Sequence, residues 1–214
     1  MNRTDIADLR KEYTRDILNP EDLPENPFQA FSNWFDFAIH ENVHEPNAMV
    51  LSTVQNNRPS SRVVLLKGIS NGGFVFYTNY NSKKGRELLQ NPFASLNFHW
   101  WQQERQIRIE GKTEKVSEQE SDAYFNSRPR LSQAGAIVSA QSSVVDSREA
   151  LDEAMKQVMA LPADKPLERP LHWGGFRLIP DYLEFWQGRP GRVHDRIAFT
   201  LLPDGSWSKC RLSP

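Results

Sequence analysis

The segment Trp186-Gln-Gly-Arg-Pro-Gly-Arg-Val-His-Asp-Arg196 sets three arginines, one histidine and one aspartate within eight residues. Charges this dense cannot be buried unpaired, because each isolated ion costs several kcal/mol or more to desolvate. The segment therefore lies on a solvated hairpin or converges on an anionic ligand. A second basic stretch, from Arg62 to Lys84, favours the ligand. In Arg62-Val63-Val64-Leu65-Leu66-Lys67 two cations bracket an apolar run. Strand alternation puts Arg62 and Lys67 on opposite faces, so one enters a cleft if the other is solvated. The competing explanation is an edge strand guarded by charge.

Tyr77-Thr78 closes the next apolar run, and Ser82-Lys83-Lys84-Gly85-Arg86 opens a helix. The start of a helix offers unpaired N–H groups and the positive end of the dipole. Lysines oppose that dipole, a conflict that a bound phosphate would resolve. Further on, Tyr124, Arg128 and Ser132 could jointly bind three phosphate oxygens through a phenol, a guanidinium and a hydroxyl. By itself, Arg128-Pro-Arg130 also fits a surface turn. Gln141-Ser142-Ser143 is a polar loop with no assignable bond. Gln106, an amide between apolar strand positions, can hydrogen-bond the edge of a heterocycle.

Metal chemistry finds no support. His194 has no histidine or cysteine at ligand spacing, and His40, His44, His99 and His172 are scattered. Nucleophile elbows, Walker loops and dinucleotide-binding glycine fingerprints are also absent.

These groups need a scaffold, and the pattern predicts a mainly antiparallel one. A helix follows Asn26-Pro27, with Phe28, Phe31, Trp34, Phe35, Ala38 and Ile39 at helical spacing. β-rich runs at 48–54 and 61–69 flank a hairpin signal at 55–59, and Asn71-Gly72-Gly73 turns into a run at 74–78. A short helix starts at Ser82 and ends at Asn91-Pro92. Strands are expected at 93–101, 105–116, 176–180, 182–187, 196–202 and 207–212, with helices near 118–125 and 148–161. Tight turns between strands imply antiparallel pairing, which a small barrel would close without exposed edges. The expected architecture is a mainly β fold, a barrel with peripheral helices, in a single domain spanning 26–214. Residues 1–25 form an arm.

The chain has 214 residues, 38% hydrophobic and 25% charged, with a net charge of −1. The basic clusters are therefore local, which argues against nucleic acid as a partner. With Cys210 the only cysteine, no intrachain disulfide forms. No apolar run reaches membrane-spanning length, and the N-terminal stretch lacks a signal-peptide core, so a cytoplasmic protein is expected.

Taken in order, several segments resemble the pyridoxine (pyridoxamine) 5′-phosphate oxidase family. They are Arg10-Lys-Glu-Tyr13, Glu45-Pro-Asn-Ala-Met49, Arg62 to Lys67, Phe76-Tyr-Thr-Asn79, Glu104-Arg-Gln106 and Tyr124 to Ser132. Gln141-Ser-Ser143, Trp173-Gly-Gly-Phe-Arg177, Glu184-Phe-Trp-Gln-Gly188, Arg192-Val-His-Asp-Arg196 and Arg211-Leu-Ser-Pro214 continue the series. The resemblance implies an FMN-binding antiparallel split β-barrel, a homodimer with FMN at the subunit interface. It also implies oxidation of pyridoxine or pyridoxamine 5′-phosphate to pyridoxal 5′-phosphate, with molecular oxygen as acceptor. Flavin ligands would be Arg62, Val63, Val64, Leu65, Leu66, Lys67, Tyr77, Thr78, Lys83, Lys84, Gln106, Gln141, Ser142, Trp186 and Arg196. Lys67, Tyr124, Arg128 and Ser132 would clamp the substrate phosphate. Arg192 and His194 would face the pyridine, with Arg10 and Tyr13 on the arm as a lid. Lys83 stands where the family often has arginine, and Ile137 and Ala140 replace a tryptophan and a longer residue. Two other readings compete: a related flavoprotein acting on a phenazine precursor, and a flavin- or pyridoxal-phosphate-binding carrier without turnover.

Overall fold

The computed structural model describes residues 9, 11–162 and 164–214. Among these, nine β-strands and five α-helices follow one another in chain order. The helix expected after Asn26 is α1, Pro27–His40. Asn26 Oδ1 accepts from the amide of Phe28 at 2.8 Å, and Pro27 fills the first turn, where its missing donor costs nothing. Ala30, Phe31, Trp34 and Ala38 form the buried stripe.

β1 (Ala48–Gln55) and β2 (Arg58–Leu65) are joined by Asn56-Asn57, with φ of 51° and 57°. β3 (Gly68–Ser70) and β4 (Gly73–Asn79) are joined by Asn71-Gly72, with φ of 48° and 71°. Two consecutive positive φ values are what a tight right-twisting hairpin needs, and asparagine and glycine reach them at least cost. α2 (Lys83–Gln90) is capped by Ser82, whose Oγ accepts from the Gly85 amide at 3.2 Å. Then come β5 (Phe93–Trp100), β6 (Arg105–Lys115), α3 (Glu118–Ser127), α4 (Arg130–Val138) and α5 (Arg148–Met159). β7 (Trp173–Gln187), β8 (Asp195–Leu201) and β9 (Trp207–Leu212) close the chain. The hydrogen-bonded order is β2-β1-β5-β6-β7-β4-β3, with β8 added to β7 and β9 to β8. The mainly β, antiparallel expectation holds.

Three local expectations are corrected. The run at 61–69 is two strands, and Lys67 sits in the gap, its amide bonded to Val75 O at 2.8 Å. The two strands expected at 176–180 and 182–187 are one. Pro180 is tolerated because it falls between the stretch paired with β4, 173–178, and the stretch paired with β8, 182–187. Finally, the Arg128-Pro129-Arg130 corner opens helix α4, with Pro129 as its cap residue.

The chain divides into two compact units. One takes the chain up to Met49 together with Leu96–Glu110 and Pro180–Pro214. Its core is aromatic: Phe31 meets Phe98 at 5.2 Å, Trp34 meets Phe185 edge-on at 5.2 Å, and Phe199 packs behind Phe185. Each such ring contributes about 1.5–3 kcal/mol through burial. The other unit is Val50–Ser95 with Gly111–Ile179. In it, Phe76 stacks on Phe176, and a satellite core gathers Phe125, Ala134, Ala136, Leu167 and Trp173.

Candidate functional site

A cavity of about 620 Å³ opens in the second unit. Its walls are the end of β2 (Val63, Val64, Leu65), Lys67, the end of β4 (Tyr77, Thr78, Asn79) and Lys84 from α2. Tyr124 of α3, the corner residues Arg128 and Pro129, Ser132, Gly135 and Ala136 of α4, then Ser139, Gln141 and Trp173, complete it. Residues scattered over more than a hundred positions thus meet, among them every member of the expected phosphate clamp. Lys84 Nζ donates to Thr78 Oγ1 at 3.1 Å and to Gln141 Oε1 at 2.8 Å. Burial, and then the nearby charge of Arg62, hold the Lys84 ammonium below the ordinary lysine range. An anion placed here would oppose both effects by Coulomb attraction.

Arg128 is the most telling group in this cavity. Its Nη1 is buried with no hydrogen-bond partner among the described residues. Burial lowers its pKa, with only the Tyr124 phenol acting to raise it. A desolvated guanidinium without a carboxylate is an anion site in waiting. Tyr77, pushed up to about 12 by burial first and then by Glu120 and Tyr124, remains a neutral phenol. Its ring lies 3.9 Å from that of Tyr124.

Arg62 lies apart from the cavity lining. It donates to Leu51 O at 3.2 Å, to Thr53 Oγ1 and to Ser60 Oγ, and it pairs with Glu87 at 3.0 Å. Glu87 is 2% exposed. Burial would raise its pKa, but hydrogen bonds from Thr53 and Ser60 and the charge of Arg62 outweigh that and hold it below the carboxylate range. Lys83 approaches the same carboxylate at 3.9 Å and is mostly exposed. Leu66 is buried. Ser142 is exposed, at a left-handed φ of 71°.

A second cavity, about 340 Å³, lies within the first unit and is lined by Leu9, Lys11, Glu12, Tyr13, Trp186, Arg189, Arg192 and His194. The His194 ring lies 4.6 Å from that of Trp186, tilted by 48°, and Tyr13 stands edge-on to both at 5.7 Å. His194 Nδ1 accepts from the Arg189 amide at 3.1 Å, so the neutral ring carries its proton on Nε2. Gly191 and Arg192 both adopt left-handed φ, 65° and 62°. For arginine this conformation is strained and is held by its surroundings. The Gly191 amide donates to Glu12, which joins the arm to this turn.

Arg196 sits outside this cavity's lining. It grips Glu184 through Nε and Nη2, at 2.8 and 3.0 Å, and also donates to Ser213 O. Glu184, 2% exposed, also accepts from Arg108 and Tyr182. Gln106 is half-buried on β6. Arg10 lies outside the described residues. Sequence reasoning assigned no individual role to Trp173, Asn79, Arg189, Glu87 or Glu184, although all but Glu87 lie in segments it singled out. Trp173 could have been found from its place directly before a glycine pair, Glu87 from its spacing to Lys83. Among the described residues no cluster of three or more His, Cys, Asp or Glu could hold a metal, and no helix is long and apolar enough to cross a membrane.

Together these features define an antiparallel β protein with a cavity lined by lysine and arginine side chains and floored by aromatic rings. Residues 35–161 match the pyridoxamine 5′-phosphate oxidase family, and residues 173–214 match the C-terminal dimerisation region of pyridoxine 5′-phosphate oxidase. A pyridoxine/pyridoxamine 5′-phosphate oxidase from Trichormus variabilis is 52% identical over 215 residues, covering 100% of both chains. One from Cupriavidus necator is 52% identical over 99% of this chain and 100% of that one. Among solved structures, PhzG from Burkholderia lata, in complex with tetrahydrophenazine-1-carboxylic acid, is 32% identical with a TM-score of 0.87. It covers 93% of this chain and 98% of its own. A pyridoxamine 5′-phosphate oxidase-related, FMN-binding protein from Nostoc punctiforme has a TM-score of 0.71 at 18% identity, over 90% and 100% of the chains, and shares the fold. The chain belongs to the pyridoxamine 5′-phosphate oxidase family. It is an oxidase with the split-barrel fold.

Proposed function

We propose that the protein is an FMN-dependent oxidase that converts pyridoxine 5′-phosphate and pyridoxamine 5′-phosphate into pyridoxal 5′-phosphate, in vitamin B6 salvage and biosynthesis. When bound, FMN supplies a hydride acceptor for the substrate C4′–H, with oxygen as the final acceptor, giving hydrogen peroxide and, from the amine and water, ammonia. The residues present fit such a group. The second-unit cavity joins an apolar strand edge to a lysine held below its ordinary pKa and to an orphaned guanidinium.

In this reading Val63 to Leu65, Tyr77, Thr78, Lys84 and Gln141 bind the flavin, with Arg62, Leu66, Lys83, Gln106, Ser142, Trp186 and Arg196 contributing around it. Lys67, Tyr124, Arg128 and Ser132 clamp the substrate phosphate. Arg192 holds the pyridine, and His194 offers its Nε2 proton near the reacting end. Tyr13 and Arg10 cover it as part of a lid formed by residues 1–25. No side chain acts as a covalent nucleophile, so the protein's contribution is orientation and exclusion of water. The active form is a homodimer with FMN at its interface, a reading supported by the match to a dimerisation region. The lone cysteine suits a reducing cytoplasm.

The observation that carries the proposal is the convergence of Lys67, Tyr124, Arg128 and Ser132 on one cavity with Val63 to Leu65, Tyr77, Thr78, Lys84 and Gln141. A second reading follows from the relative bound to a tetrahydrophenazine carboxylic acid. One experiment separates the two. The purified protein should be yellow, release FMN on denaturation, and consume oxygen with pyridoxine 5′-phosphate but not with pyridoxine. Equal rates with both would remove the phosphate clamp.

A further inference from the structure

Within the second-unit cavity one aromatic ring, that of Trp173, packs against Tyr77 as well as against Tyr124 and Arg128. Trp173, at the first position of β7, is 7% exposed. Its indole stacks on Tyr77 at 5.5 Å and 13°, and on Tyr124 at 6.2 Å and 7°. The guanidinium carbon of Arg128 lies 4.7 Å from the indole centroid. Behind it, Phe125 meets the ring edge-on at 5.5 Å and fixes its plane. Gly174 and Gly175 follow, and a Cβ on Gly175 would come within 2.9 Å of the Tyr77 ring, so the strand backbone itself supports the stack.

We propose that Trp173 is a positioning residue that aims the phosphate clamp: its π face takes the place of a carboxylate as the support for Arg128. Among the described residues no carboxylate lies within ion-pairing distance of Arg128, and its Nη1 has no hydrogen-bond partner. A carboxylate would hold the guanidinium equally well but would neutralise it before a phosphate arrived. An indole face attracts a cation without cancelling its charge. It fixes the guanidinium plane and leaves Nη1 without a competing acceptor, so that a bidentate anion contact forms at little entropic cost. The same ring sets Tyr124, so one side chain places two of the four clamp groups. Its stack with Tyr77 ties the clamp to the flavin side.

The proposal rests on the oxidase reading for its substrate, but its test does not depend on turnover. The test measures inorganic phosphate binding to the flavin-loaded protein by calorimetry, alongside KM and kcat for pyridoxine 5′-phosphate. Three variants enter: Trp173→Leu, which keeps apolar bulk without a π face, Trp173→Phe, which keeps a face, and Arg128→Leu. Losing a partly desolvated cation–π contact should weaken phosphate binding about tenfold. KM should rise in parallel, kcat should move far less, and Trp173→Phe should recover most of the loss. In the Arg128→Leu background the further change at Trp173 should cost little, because both act through one contact. The inference is overturned if phosphate binds Trp173→Leu as tightly as the parent, if Trp173→Phe is as impaired as Trp173→Leu, or if the Trp173 and Arg128 losses simply add. Should Trp173→Leu fail to fold, the cycle is run with Trp173→Phe, where a smaller but still non-additive loss is expected. A parent that binds phosphate yet never oxidises the substrate would sink the oxidase reading and leave the indole platform standing.

Discussion

Replacing Glu87 with glutamine tests whether the Arg62 cluster is a true buried ion pair. The parent carboxylate accepts from Thr53 at 2.5 Å, from Ser60 at 2.8 Å and from Arg62 at 3.0 Å, and the Arg62 side chain is 19% exposed. Removing one partner of a buried pair typically costs about 3–5 kcal/mol, because the remaining charge is left desolvated. Arg62 keeps some solvent contact and its bond to Leu51 O, so about 2–3 kcal/mol is the reasoned loss. For a chain of this size that lowers Tm by roughly 4–12 °C. Differential scanning calorimetry at pH 7, on protein with and without added FMN, provides the measurement. In an Arg62→Leu background the same change should cost only a fraction of this. A shift within about 2 °C of zero in the parent background would refute the reasoning, as would equal losses in both backgrounds.

Other outcomes follow from the same geometry. Glu87 and Glu184 both have folded pKa values below the ordinary range. Their stabilisation is therefore complete above the unfolded carboxylate value of about 4.3 and is lost as pH falls through the lower folded values. Urea midpoints measured down the acid limb should drop, and the gap between parent and Glu87→Gln should close there; a constant gap would contradict the assignment. Arg192→Leu should cut kcat/KM about tenfold to a hundredfold while the flavin absorbance per chain stays constant; loss of colour with unchanged activity per flavin would remove Arg192 from the substrate side. Gly85→Ala would place a Cβ 2.6 Å from the Asn79 carbonyl oxygen and closer still to that of Tyr80. Overpacking against backbone costs about 1–3 kcal/mol, more than the roughly 1 kcal/mol of helix propensity that alanine gains, so its denaturant midpoint should fall.

Local signals made much of the fold legible. Asn56-Asn57 and Asn71-Gly72 named their hairpins, and Asn26-Pro27 and Ser82 named their helices, because capping and positive φ are decided by a few neighbouring residues. β7 was not legible as one strand. Pro180 reads as an interruption, and only the exchange of pairing partners around it shows why the strand continues. α4 was hidden for a similar reason: Arg128-Pro129-Arg130 looks like a corner, which it is, but the corner starts a helix. At the site the cations announced themselves by charge and spacing. The partners that restrain them did not. Glu87 lies twenty-five positions from Arg62, and Trp173 lies forty-five from Arg128, so their roles depend on long-range packing.

The path of the backbone has one further consequence. The chain passes from one compact unit to the other at 49/50, 95/96, 110/111 and 179/180. Neither unit is a contiguous stretch of gene, so neither can be cut out, fused elsewhere or exchanged with a homologue by one crossover. A nascent chain leaving the ribosome must wait for its last strands before the first unit has all its parts. Recombination would inherit this architecture whole or lose it, and engineering of its specificity has to proceed by substitution within the cavities, not by swapping modules.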